Sequence, residues 1–86
     1  MLVTIKEESV GLHPNEVVVS IVTRDGIERL VVHKRSIHDG CLEIGFPISQ
    51  DEDFYLIELP RETMRGYWRI WVRKSDLTES SERRVA

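Results

Sequence analysis

Residues 16 to 23 read Glu-Val-Val-Val-Ser-Ile-Val-Thr and lead into Asp25-Gly26, and no other stretch limits the chain's options so strongly. β-Branched side chains lose rotamer freedom in a helix and fit the pleated surface of a sheet. Asp-Gly suits the two positive-φ positions of a type I′ turn, so the strand is expected to reverse into an antiparallel partner. With Asp25 and Gly26 as the loop, Ile21 is set opposite Leu30 and Val19 opposite Val32, which puts four apolar side chains on one face. The other face carries Val18, Ser20, Val22, Arg29, Val31 and His33, a mixed set suited to partial cover.

A second pair, Asp39-Gly40, repeats the signal. The same rule puts Ile37 opposite Leu42 and Arg35 opposite Ile44. Leu30 and Val32 point inward on even numbers and Ile37 on an odd one, so the chain must bulge or bend between His33 and Ser36. Bends of this kind curl a short sheet toward a barrel. Further strands are expected over residues 2 to 8, with Val3 and Ile5 inward, and over 42 to 48, where Leu42, Ile44, Phe46 and Ile48 alternate and Pro47 marks an edge or break. Two more are expected over 54 to 59 and 67 to 73. Gln50 to Asp53 reads as an acidic loop and Pro60 to Gly66 as the connection into the last strand. Across that connection, a register facing Ile57 with Ile70 and Glu58 with Arg69 buries apolar against apolar and opposes unlike charges. Ser75-Asp76-Leu77 is expected to form a short helical turn. No internal repeat is visible, and the two Asp-Gly hairpins resemble each other only as turns.

These elements give an all-β class. The expectation is one domain over residues 1–77, a small partly open barrel of five to six antiparallel strands with a short C-terminal turn, followed by a disordered tail over 78–86. The segment Trp71-Val72-Arg73-Lys74-Ser75-Asp76-Leu77 resembles the last strand and terminal turn of bacterial SH3-like barrels, in which a Trp-Val pair precedes a short turn ending in leucine. The likeness covers seven of 86 residues. It implies an architecture and no functional residue.

An apolar share of 41% and a charged share of 31% are those of a soluble globular protein, and no apolar run approaches the length of a membrane span. The core of so short a chain is expected to hold roughly ten to fifteen apolar side chains, each worth about 1.5 to 3 kcal/mol. A net charge of −3 disfavours broad attraction to phosphate backbones or anionic lipid. The first residues lack the basic and apolar regions of a secretory signal, and Cys41 is the only cysteine. A cytoplasmic setting without an internal disulfide is the expectation.

In the Tyr67 to Lys74 stretch, strand alternation places Trp68, Ile70 and Val72 on one face and Tyr67, Arg69, Trp71 and Arg73 on the other. The first face is expected to be core. The second combines flat rings with guanidinium groups, a pairing suited to peptides, acidic partners or single-stranded nucleic acid. Arg61 and Arg65 flank it, and residues 61 to 74 hold five cations against Glu62 alone. The sequence therefore reads as a non-catalytic binding module for protein or peptide, with single-stranded nucleic-acid binding and homodimerisation as alternatives. A plainer reading leaves this face as sheet surface, its arginines paired with Glu58 or Glu62. His33, His38 and Cys41 include one cross-strand Cys-His pair but no orienting third group, and the Asp51-Glu52-Asp53 trio lacks calcium-loop spacing. No metal, cofactor or catalytic constellation is expected.

Overall fold

The computed structural model describes residues 1–11 and 13–79, so the expected tail from residue 80 onward lies outside the described residues. In chain order the strands are β1 (Leu2–Thr4), β2 (Lys6–Val10), β3 (Glu16–Thr23) and β4 (Gly26–His33), a 3-10 turn (Lys34–Ser36), and β5 (Ile37–His38). Then come β6 (Cys41–Glu43), β7 (Ser49–Asp51), β8 (Phe54–Glu58) and β9 (Arg69–Arg73), a second 3-10 turn (Lys74–Asp76), and β10 (Leu77–Thr78). The class is all-β. Three antiparallel sheets form, in the orders β10-β1-β6-β5, β2-β3-β4 and β7-β8-β9, and none closes into a barrel. Among the described residues, no helix is long and apolar enough to cross a membrane.

The first hairpin forms with a register two residues away from the expected one. Val19 faces Leu30, Ile21 faces Glu28, and Thr23 faces Gly26, so the loop is Arg24–Asp25. Gly26 carries the positive φ, 133°, as the first residue of β4. Thr23 Oγ1 accepts from the Asp25 amide and donates to the Gly26 carbonyl, which ties the reversal one residue earlier. A shift of two preserves every side chain's face, so Val17, Val19, Ile21, Leu30 and Val32 are all buried. The second hairpin matches its expected register at Ile37 and Leu42, with positive φ at Asp39 and Gly40. The expected Arg35–Ile44 pair does not form, since Arg35 lies in the 3-10 turn and the Ile44 amide donates to the Met1 carbonyl. The expected change of parity is made by the 3-10 turn at Lys34–Ser36.

Other expectations needed revision. β6 stops at Glu43, leaving Phe46 81% exposed and Ile48 outside the core. Pro47 has no amide to donate to a ladder there. The acidic loop is itself a hairpin, in which Asp51 faces Phe54 and Glu52 takes φ 53°. Thr78, expected to begin the tail, pairs with Leu2 in β10.

The chain does contain a repeat. A short strand, a three-stranded sheet, a 3-10 turn and a second short strand occur once over 2–38 and again over 41–78. The order β10-β1-β6-β5 reads the same from either end once the halves are exchanged. Ile37 pairs with Leu42, and its counterpart Leu77 pairs with Val3; Val3 and Leu42 also pair with each other, which places a pseudo-twofold axis between β1 and β6. The Lys34 amide donates to the Asn15 carbonyl and the Lys74 amide to the Asp53 carbonyl, both at 2.8 Å. Leu30 and Val32 match Ile70 and Val72, forty positions on, while Val19 matches Ile57, thirty-eight on. Loops of unequal length interrupt the period and few matched positions share a residue, so no fixed spacing could reveal it.

Thirteen apolar side chains are buried among the described residues. They come from both halves, and all but Leu2 form one cluster, which includes the fully buried Val3, Val19, Leu30, Leu42, Ile57 and Val72. β1 draws its sheet partners, β6 and β10, from the opposite half. Cutting the chain between Asp39 and Gly40 is therefore expected to leave a single particle near 10.0 kDa on native mass spectrometry, with the fragments parting only in denaturant. Fragments that separate in plain buffer would contradict this shared core.

Candidate functional site

β9 is placed against β8 in the register expected from charge and burial, with Ile57 facing Ile70 and Glu58 facing Arg69. Ile70 and Val72 are buried, as alternation requires. Trp68 is not: it precedes β9 and is 52% exposed, so the expected core tryptophan stands in solvent beside Val31 and Met64. Its counterpart in the first half is Glu28, which occupies the inward register of β4 with Leu30 and Val32 and is only 4% exposed. The two halves thus fill the same scaffold position with opposite chemistry.

The six residues proposed from sequence separate into a group and two outliers. Arg65, Tyr67, Arg69 and Trp71 line one open cleft of about 240 Å³, together with Thr23, Asp25, Glu28 and Ile70. Arg61 lies in a neighbouring groove with Trp68. Arg73 points its guanidinium over the Phe54 ring, 5.8 Å from the centroid. Two backbone bonds hold the cleft walls together: the Arg24 amide donates to the Trp71 carbonyl at 2.9 Å, and the Met64 amide to the Arg29 carbonyl at 2.7 Å. Each crosses from one half to the other. Within the 60s loop, the Thr63 hydroxyl accepts from the Tyr67 amide and the Thr63 amide donates to the Tyr67 carbonyl, fixing where Tyr67 leaves the backbone.

The local excess of positive charge seen in sequence is largely answered in space. Arg61 pairs with Glu16 at 3.2 Å, Arg69 with Glu58 at 3.3 Å, and Arg65 with Glu28. Arg24, which the sequence did not single out, pairs with Asp51 at 3.3 Å and stacks 4.7 Å from the Trp71 centroid. Lys74 lies 5.0 Å from the Tyr55 ring centroid and donates to Gln50. The plainer reading of paired arginines holds for Arg69 and Glu58, although Arg61 and Arg65 take acids from β3 and β4 instead of Glu62.

Arg65 donates to Glu28 Oε2 through Nε at 3.0 Å and also through Nη2. Those bonds hold the Glu28 carboxyl below its ordinary range; burial pushes the other way, and the Thr63 hydroxyl adds a smaller lowering. Glu28 was missed in the sequence, though an acid on the inward parity of a strand is a signal worth marking.

His38 faces Cys41 across the second turn, as expected, and its Nε2 lies 3.3 Å from Glu43 Oε1. Among the described residues, no group of three or more His, Cys, Asp or Glu side chains is arranged to hold a metal. Comparison with protein families, curated proteins and solved structures finds nothing that matches this chain. Any functional reading therefore rests on the cleft's own geometry.

Proposed function

We propose that the domain is a non-catalytic binding module whose contact surface is the Arg65-Tyr67-Arg69-Trp71 cleft and whose partner is a polypeptide. One observation carries this reading: all six aromatic residues lie between positions 46 and 71, in the second half. The first half builds the same strands with none. Val31 stands where the second half has Trp71, Val17 where it has Tyr55, and Glu16 where it has Phe54. The scaffold can be made without rings, so the two that line the cleft, Tyr67 and Trp71, exceed what the fold requires. Rings supply large contact area at little entropic cost, which is the usual character of a polypeptide contact.

Charge supports a polypeptide over a phosphate-tracking ligand, because Arg61, Arg65 and Arg69 each already face a carboxylate. The SH3-like reading is retained as a proposal for one unit only, the succession of β9, 3-10 turn and β10.

Affinity selection from a random peptide library on the intact domain is expected to enrich binders that Trp71→Ala loses by at least about tenfold, with the variant's circular dichroism unchanged. Trp71-independent binders would place the contact surface elsewhere. Tight binding of an oligothymidine, weakening steeply with salt, would favour the nucleic-acid alternative.

A further inference from the structure

We infer that the cleft receives a cationic side chain, an arginine or lysine presented by the partner polypeptide. This rests on the reading of the cleft as a contact surface and adds the chemistry of the group that enters it. The sequence alone pointed toward acidic partners; the arrangement of side chains points the other way.

Two carboxylates on the cleft wall, Glu28 and Asp25, keep acceptor oxygens that no side chain fully answers. Glu28 Oε2 receives both bonds from Arg65, while Glu28 Oε1 is buried with no well-formed hydrogen bond, the Thr63 hydroxyl beside the carboxyl exerting only a weak pull. The Asp25 amide is bound by Thr23 Oγ1, and among the described residues no hydrogen bond or ion pair reaches the Asp25 carboxylate. A carboxylate oxygen shut away from water without a donor is costly, and a donor brought by a ligand relieves that cost.

The cations present are already engaged. Arg65 answers Glu28 and Arg69 answers Glu58, which leaves Asp25 as the cleft-wall charge without an ion pair among the described residues. An incoming anion would meet guanidinium groups already paired. An incoming cation would meet a free carboxylate at the rim and an unfilled acceptor behind it.

The rings here already accommodate cations. Arg24 lies 4.7 Å from the Trp71 centroid and Arg65 5.8 Å from that of Tyr67. Electron-rich ring faces favour such neighbours. A cleft of about 240 Å³ suits one long side chain better than a cofactor.

The test uses two small probes, N-acetyl-arginine amide and its neutral analogue N-acetyl-citrulline amide, titrated into the full chain while the Trp71 indole N–H resonance is followed by NMR. The arginine probe is expected to shift that resonance saturably and the citrulline probe to bind at least about tenfold more weakly. Asp25→Asn and Glu28→Gln are each expected to weaken the arginine probe by about tenfold. Asp25 lies on an exposed turn, so its variant keeps the test decisive even if Glu28→Gln disturbs packing. Equal binding of both probes, or an arginine probe indifferent to Asp25→Asn, would overturn the inference. Trp71-dependent library peptides that lack arginine and lysine would also overturn it while leaving the contact surface intact. A library yielding no Trp71-dependent peptide would remove the contact surface itself.

Discussion

Leu30→Ala is expected to lower the unfolding free energy by about 2 to 5 kcal/mol, which for a domain of this size is a large part of the whole. Leu30 is fully buried and pairs with Val19, itself fully buried, in the cluster where both halves meet. Truncation removes transfer free energy and leaves a cavity that the paired strand β3 and the core packed beneath it cannot easily collapse. Urea unfolding checks it: the midpoint should fall with little change in slope. Ile70→Ala, at the counterpart position in β9, should cost a loss of the same order, because Ile70 is buried on the matching face. A loss under about 1 kcal/mol at Leu30 would mean that β4 does not pack as described.

Arg65→Ala is expected to destabilise the domain at neutral pH more than Arg69→Ala does, although both remove one partner of a carboxylate. The difference lies in the acid. Glu58 is exposed and water replaces its lost partner, whereas Glu28 is buried and would be left charged with one oxygen already unsatisfied. In the intact protein, Arg65 holds the folded-state pKa of Glu28 below its ordinary value of 4.5. That contribution is fully present above the unfolded-state pKa and is lost as pH falls through the lowered, folded one. In Arg65→Ala burial dominates and raises the folded-state pKa, so the variant's deficit should be greatest at neutral pH and should narrow as Glu28 takes up its proton. Unfolding curves at pH 7 and near pH 4 test both parts. A deficit equal to that of Arg69→Ala, or one that widens on acidification, would show that the Glu28 carboxylate is not held as described.

Which parts of this were legible beforehand follows from the range over which each is decided. The Ile57–Ile70 and Glu58–Arg69 pairings were legible because strand alternation and opposite charge agree there. The break between His33 and Ser36 was legible as a conflict of parity, and the structure resolves it with a 3-10 turn. Trp68 was misplaced because alternation was extended one residue past the strand, to where the chain is already leaving the sheet. The loop of the first hairpin was misplaced because an Asp-Gly pair outweighed Thr23, whose hydroxyl closes the turn from the other side.

The partners of the arginines were beyond local pattern. Glu16 lies 45 positions from Arg61 and Glu28 lies 37 from Arg65, distances over which sequence carries no pairing signal. The sequence by itself determined the all-β class, the strands around the two Asp-Gly turns and the alternating faces of β3, β4, β8 and β9, because these depend on backbone geometry and neighbours a few residues apart. Only the tertiary structure decided that two similar halves share one core, that the cleft's positive charge is largely answered and that a buried acid stands beside its aromatic walls. Those features arise where strands remote in the chain come together, and electrostatic compensation depends on distances in space that spacing along a chain does not encode.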